Sequence, residues 1–168
     1  MEIFGYKCFN KDLTNNYGKK FSVGKIYITS GAIKFGNNGN GFHICKNMED
    51  TFRYYDTSNI IVCEVIGSGN YVECFDEYNE YFDMYSVEKL EIIKELSREE
   101  IIKEGLDLNE IRVKRFLSTF KLNDEELLLF KNKYRNKKEI INLIAYYQEY
   151  NKEIFNEKVK VNSIDKKI

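Results

Sequence analysis

The chain has 168 residues, of which 43% are hydrophobic and 15% aromatic. This is enough length and apolar content for a folded domain with its own core, so an intrinsically disordered protein is excluded. The formal net charge is -1. No apolar run is long enough for a membrane-spanning helix, and residues 1–6 lack the basic and apolar regions of a secretory signal, so we expect a cytoplasmic protein without membrane contact.

The four cysteines are widely spaced along the chain. Without a secretory signal, we predict reduced thiols in a core and no disulfides. The residues concerned are Cys8, Cys45, Cys63 and Cys74.

The first part of the chain has the pattern of β-strands. In residues 20–29 both sets of alternating positions contain apolar side chains, which predicts a strand buried on both faces. The near-continuous β-branched run in 59–67 is typical of a central strand. Glycine and asparagine place a loop at 36–41 and a turn at 67–70. One internal helix is predicted at 47–55, with Asn47 as its N-cap. The predicted strands are 3–9, 20–29, 32–35, 42–45, 59–67 and 90–96.

After Leu96 the pattern becomes helical. Ser97 and Glu100 form a capping box that begins the first helix, and Asn123 and Glu126 form another. Further helices are predicted at 108–120, 124–134 and 137–155, followed by a frayed end. The sequence therefore predicts an α+β fold: a small, mostly antiparallel sheet with one internal helix, residues 1–97, then a C-terminal helical bundle, residues 98–168.

Several short stretches of the first hundred residues occur together at a characteristic spacing. They are 6–13, 24–27, Gly41-Phe42-His43-Ile44-Cys45, 54–55, 63–65 and 92–97. On these stretches the chain resembles a small domain family of unknown function that recurs in phage and prophage genomes. The resemblance implies a mobile-element origin and a bacterial host, and it carries no activity with it.

His43, the only histidine, is one candidate for chemistry. On a strand, His43 and Cys45 would project to the same face, where Cys8 or Cys63 could complete a zinc site or a thiolate-imidazole pair. No CxxC or HxxxH element supports this, and the alternative is a packed cysteine with a hydrogen-bonded histidine.

A second enzyme hypothesis is an ADP-ribosyltransferase-like fold with its pocket near His43. Tyr54 and Tyr55 would then line a nicotinamide pocket, and Glu91 would be the late glutamate. The sequence lacks the arginine or histidine expected at the start of an early strand, so the hypothesis depends on those three residues.

Residues 71–85 contain five carboxylates and several aromatic residues but no lysine or arginine. Aromatic side chains supply contact area and carboxylates attract a basic surface, so the segment predicts a protein-binding surface. The alternative is a solvated loop whose aromatics cover the sheet. The candidate partner-binding residues are Glu73, Asp76, Glu77, Tyr78, Glu80, Tyr81 and Asp83.

Five of the eight residues from Lys131 to Lys138 are basic. Such a run could contact the phosphates of RNA, or it could be a solvated helix end. The candidate residues for this RNA-binding alternative are Lys131, Lys133, Tyr134, Arg135, Lys137 and Lys138.

These observations predict a non-enzymatic interaction protein of a phage or prophage, with no cofactor and no metal. Its expected protein partner is a bacterial defence nuclease such as a CRISPR effector, which it would inhibit as an anti-CRISPR protein does. An exposed apolar stripe on the last helix would favour a homodimer.

Overall fold

A computed structural model describes residues 1–36, 39–74 and 83–165, with the backbone alone for 155–165. It confirms the α+β class, because a five-stranded antiparallel sheet is followed by helices. The chain divides into two compact units, Met1–Ile101 and Ile102–Ile168. None of the helices in the described ranges is long and apolar enough to cross a membrane.

The elements follow one another in the predicted order of sheet and then helices. The strands are β1 Ile3–Asn10, β2 Ile26–Ile28, β3 Phe42–Cys45, β4 Ile60–Cys74 and β5 Met84–Glu95, and a 3-10 helix, Met48–Tyr54, lies between β3 and β4. The α-helices are α1 Arg98–Leu106, α2 Glu110–Thr119, α3 Asp124–Lys133 and α4 Lys138–Asp165.

The strand order is β2-β5-β3-β1-β4, and β4 also pairs with β5. The pairings β1–β3, β3–β5, β5–β4 and β4–β1 therefore close on themselves. Closure leaves few unpaired edges, and it surrounds a core contributed by all five strands and the segment before β2. The core cluster contains Ile3, Phe9, Phe21, Phe42, Ile44, Cys63, Val65, Tyr85, Val87, Leu90 and Ile92, with Tyr27 packed against it.

The predicted strand at 20–29 was too long, and the predicted strand at 32–35 was wrong. Only Ile26–Ile28 is a strand, and residues 32–35 have no regular structure. Gly24 takes a φ of 77° and donates its N–H to the Ile92 carbonyl, which interrupts the extended chain. The expectation of burial on both faces also fails, since Ile26 and Ile28 are 61% and 62% exposed on this short edge strand.

The predicted turn at 67–70 was also wrong, because β4 continues through it to Cys74. Gly69 takes a φ of 81°, and the register with β5 shifts between Ser68 and Tyr71. Glycine here permits a β-bulge, and the Asn70 N–H is satisfied by the Glu88 carboxylate at 2.8 Å. The predicted strand 90–96 is correspondingly the second half of β5.

The internal helix is a 3-10 helix. Asn47 makes no side-chain cap bond to the backbone, contrary to the prediction, and its amide instead donates to Asp50 at 3.0 Å. Met48 and Phe52 are buried.

Both predicted capping boxes are confirmed. The Glu100 N–H donates to Ser97 Oγ at 3.2 Å while the Ser97 N–H donates to the Glu100 carboxylate at 2.8 Å. In the second box the Glu126 N–H donates to Asn123 Oδ1 at 2.9 Å, and the Asn123 N–H donates to the Glu126 carboxylate at 2.8 Å. In the second unit, Phe116 is fully buried and stacks on Phe120 and Phe130 at centroid distances of 5.2 and 5.5 Å.

The α3 capping box gives a stability prediction. We expect Asn123→Ala to lower the free energy of unfolding by about 1 kcal/mol, because the first-turn amides lose their acceptor. Denaturant unfolding followed by circular dichroism measures this. Asn132→Ala, the same change at an exposed position inside α3, is the control and should be neutral or slightly stabilising. Equal losses in the two variants would contradict a capping role.

Helix α4 extends to Asp165. The predicted end at residue 155 was therefore too early, and the backbone beyond it, predicted to be frayed, is helical as far as Asp165. Tyr146 and Tyr150, one turn apart on α4, are 63% and 45% exposed. A homodimer formed through this helix stays a prediction.

Candidate functional site

A cleft of about 660 Å³ opens on the first unit. We call it the aromatic cleft, because most of its larger lining side chains are aromatic. It is formed by β1, β3, the 3-10 helix and the irregular segments that precede β2 and β3. Its described lining residues are Tyr6, Lys7, Cys8, Asn15, Asn16, Tyr17, Phe21, Phe35, Gly36, Gly39, Gly41, Phe42, His43, Cys45, Thr51, Tyr54, Tyr55 and Met84.

Phe21 joins the cleft to the core. Its ring centroid lies 5.0 Å from that of Phe9, 4.8 Å from that of Tyr27 and 6.3 Å from that of Phe42. Such tilted and edge-on ring pairs stabilise the packing beyond the contribution from burying the rings. The floor of the cleft is therefore part of the packed aromatic core.

Lys7 is the one lysine, arginine or carboxylate-bearing residue among the described lining residues. Its Nζ donates to the His43 carbonyl at 2.7 Å and lies 5.8 Å from the centroid of Phe9. Burial lowers the pKa of Lys7, against the opposing effect of the nearby Cys45 and Cys8 thiols. Lys7 forms no ion pair within the described part of the chain.

His43 lies beside Phe35, with ring centroids 4.8 Å apart. Burial, and then the charge of Lys7, lower the pKa of His43 to about 4, so the imidazole is neutral at pH 7. Its ring nitrogens have no hydrogen-bond partner among the residues described, so the predicted hydrogen-bonded histidine is not found there.

The cysteines do not provide a reactive thiolate. Burial raises the pKa of Cys8 to about 12 even though its Sγ lies 2.9 Å from Thr51 Oγ1, and burial also raises the pKa of Cys45. A nucleophilic cysteine needs a lowered pKa, so both thiols are protonated at pH 7. All four cysteines are free and buried, as predicted for core thiols.

The zinc hypothesis also fails on geometry. Cys63 lies in the core cluster and does not line the cleft. Within residues 1–36, 39–74 and 83–165, no group of three or more histidine, cysteine, aspartate or glutamate side chains could hold a metal ion.

The structure brings together only some of the residues on which the enzyme hypotheses depend. His43, Cys45, Tyr54 and Tyr55 all line the aromatic cleft, but Glu91 does not. Glu91 lies on β5 opposite Ile26 of β2 and Ile66 of β4, so it is not the glutamate of a pocket near His43.

The acidic aromatic segment, residues 71–85, connects the two longest strands. Cys74 of β4 pairs with Met84 of β5, and the Tyr85 hydroxyl donates to Glu73 at 2.9 Å. Asp83 forms an ion pair with Lys46 at 3.6 Å. The predicted partner-binding residues Asp76, Glu77, Tyr78, Glu80 and Tyr81 lie outside the described residues.

The basic run extends from the end of α3 to the start of α4 and is partly neutralised. Lys133 pairs with Asp107 at 3.0 Å and Lys137 with Glu110 at 2.9 Å. The Tyr134 hydroxyl lies 2.9 Å from the carbonyls of Leu106 and Leu108. Tyr134 is thus held by the end of α1 and the loop that follows it, and it is not open for a base to stack on it. Lys131, Arg135 and Lys138 are exposed.

His43 gives a pH prediction. Its pKa is about 4 in the folded protein and about 6.5 in an unfolded chain, so the unfolded state binds the proton more readily between these values. Stability should therefore fall as the pH is lowered from about 6.5 towards 4, by on the order of 1–2 kcal/mol after allowing for partial exposure. The imidazole NMR signals of tag-free protein measure the pKa directly, because His43 is the only histidine.

The control for this pH effect is His43→Gln, which should lack the loss between pH 6.5 and 4. Glu100 does not interfere, since its ion pair with Lys94 and its bond to Ser97 lower its pKa to about 2 and its titration falls at lower pH. A His43 midpoint near 6.5 would contradict the burial of the imidazole.

Comparison with known proteins identifies one family. The model of a domain of unknown function, DUF7666, matches residues 3–104. No curated protein and no solved structure matches the chain. The matched range contains every lining residue of the aromatic cleft.

Proposed function

The chain belongs to the DUF7666 family, a domain of unknown function, and from its own surfaces we propose a non-enzymatic interaction protein of a phage or prophage. It acts in the cytoplasm of a bacterial host. Its partner is a defence nuclease, which it inhibits in the manner of an anti-CRISPR protein by occupying a basic, nucleic-acid-binding surface.

The observation that carries this proposal is the pairing of the two ends of the acidic aromatic segment in the β4–β5 hairpin. The hairpin pairs from Cys63 and Glu95 to Cys74 and Met84. The Tyr71 and Tyr85 rings, 6.2 Å apart, pack near the end of this ladder. A paired base limits the entropy lost when the segment binds, which favours affinity.

The charge of the segment fits a basic partner. Glu73 and Asp83, at its two ends, are engaged by Tyr85 and by the exposed Lys46, and the remaining carboxylates follow in sequence between Cys74 and Asp83. Carboxylates grouped in this way accelerate association with a positively charged channel, and the effect weakens as salt screens it. The protonated thiols and the distance of Glu91 from the cleft also favour binding over catalysis.

The test is inhibition of target cleavage by purified CRISPR effectors of the host. We expect the protein to bind an effector and inhibit cleavage, and the triple variant Asp76→Asn, Glu77→Gln, Glu80→Gln to weaken inhibition at least tenfold. The weakening should be largest at low salt.

The matched control removes charge elsewhere. Glu149→Gln with Glu153→Gln changes two exposed carboxylates of α4 and should leave inhibition unchanged. Equal weakening by both variants would mean that net charge, not the hairpin, carries the effect. Failure to bind or inhibit any CRISPR effector of the host would rule out the anti-CRISPR function and leave an interaction protein with another partner.

A further inference from the structure

We propose that the aromatic cleft is a binding site for a small molecule that carries a planar aromatic ring and a negatively charged group, the chemistry shared by nucleoside monophosphates and aromatic carboxylates. Met84 is the one described residue of the acidic aromatic segment that lines the cleft, and the proposal does not depend on the function proposed above.

The walls of the cleft supply the surface for a ring. Tyr17, Phe35 and Tyr54 are 78%, 45% and 54% exposed, so three aromatic side chains of one cleft remain open to solvent. Exposed apolar surface gathered around a concavity is typical of a ligand site. A planar ligand can stack on such side chains in the way that nucleic-acid bases stack on aromatic residues.

The fixed floor distinguishes this site from a loose surface patch. Phe21 is 1% exposed and is held by Phe9 and Phe42. Phe21 offers almost no surface of its own, but it packs against Phe42, which lines the cleft, so this part of the lining is already formed and less entropy is lost on binding.

Lys7 sets the charge of the ligand. An aromatic cleft without a cation would attract cations through the faces of its rings. Here the Lys7 amino group lies in the cleft without a carboxylate among the described lining residues, so an anion beside it would favour its protonated, charged form. A phosphate or carboxylate placed beside Nζ would supply the missing charge in a charge-assisted hydrogen bond, whereas a cationic ligand would be repelled.

His43 supplies a neutral polar group in the same cleft. The His43 carbonyl accepts a hydrogen bond from Lys7 Nζ at 2.7 Å, so the Lys7 amino group lies next to the residue that carries the imidazole. A neutral imidazole can donate from one ring nitrogen and accept at the other, which suits the polar edge of a heterocycle. This would favour nucleotides over simple aromatic acids.

The experiment titrates the protein with defined probes and follows the His43 imidazole NMR signals together with calorimetry. The probes are the four common nucleoside 5′-monophosphates, the matching nucleosides, inorganic phosphate and indole-3-acetate. We expect saturable shifts with at least one monophosphate and at least tenfold weaker binding of its nucleoside. If indole-3-acetate binds and the nucleotides do not, the ligand class is aromatic acids.

Two variants and a control separate the contributions. Lys7→Met should remove the preference for the charged ligand, while Tyr54→Ala should weaken charged and uncharged ligands equally. Lys11→Met, an exposed lysine outside the cleft, should change neither. If Lys7→Met does not fold, the proposal is still tested by the ratio of monophosphate to nucleoside affinity in the wild-type protein and by the effect of Tyr54→Ala.

Three results would overturn the proposal. They are the absence of a saturable shift with every probe at millimolar concentration, equal binding of a monophosphate and its nucleoside, and an unchanged preference in folded Lys7→Met. None of them bears on nuclease inhibition, so this site and the hairpin surface are tested independently.

Discussion

Replacing Phe21 by alanine is expected to lower the free energy of unfolding of the first unit by about 3–5 kcal/mol. The Phe21 ring is 1% exposed and packs against Phe9, Tyr27 and Phe42 within one cluster. Truncation removes its burial and leaves a cavity that the paired strands around it cannot close. Because Phe21 is also the floor of the aromatic cleft, the variant should lose ligand binding as well.

Denaturant unfolding followed through the His43 resonance measures this loss within the unit that contains Phe21. Phe4→Ala is the matched control, since Phe4 is 68% exposed on β1 and the same truncation there should cost less than about 1 kcal/mol. Similar losses in the two variants would show that Phe21 is not the centre of the cluster.

Phe21 also explains why part of the predicted sheet was wrong. The alternation in 20–29 is the usual signal for a strand, yet the chain uses only Ile26–Ile28 in this way. Phe21 is buried by contacts with distant rings, not by a place in the ladder, and Gly24 breaks the extended chain. Periodicity predicts which residues seek the core, but it does not distinguish these two ways of reaching it.

The misread turn at 67–70 has a similar cause. Glycine and asparagine favour a tight turn and a β-bulge alike, because both require positive φ. The choice depends on the long partner strand β5, which supplies the Glu88 carboxylate to the Asn70 amide. Such non-local pairing is not visible in the local sequence.

The helical half was predicted more closely because its signals are local. Ser97 with Glu100 and Asn123 with Glu126 satisfy each other's backbone amides across three residues, so the sequence contains the whole interaction. The end of α4 was missed because polar composition alone does not end a helix.

The aromatic cleft was predicted in part. His43, Cys45, Tyr54 and Tyr55 were expected near one pocket, and all four line the cleft. Lys7 was missed, although a signal was present. It lies on the same face of β1 as Ile3 and Phe9, which are buried. A lysine in register with core residues is rare unless it is paired or functional.

Gly5→Ala is expected to lower the free energy of unfolding by about 3 kcal/mol, at the upper end of the usual range for overpacking. A Cβ on Gly5 would collide with the Cys45 carbonyl oxygen and lie 3.1 Å from the Cys45 carbonyl carbon and 3.6 Å from Lys46 Cα. These are backbone atoms, so no side-chain rotation relieves the collision. The pairing of β1 with β3, at Tyr6 and Cys45, must open instead.

This opening should change the cleft as well as the stability, because β1 and β3 carry Lys7 and His43. We expect the His43 resonance of folded Gly5→Ala to move, since the 2.7 Å bond from Lys7 Nζ to the His43 carbonyl depends on the spacing of these strands. Gly24→Ala is the control: its Cβ would have no atom within 4 Å, so only its positive φ is penalised, by about 1 kcal/mol. If Gly5→Ala lost no more stability than Gly24→Ala and left the His43 resonance in place, the close approach of β1 to β3 would not be what shapes the aromatic cleft.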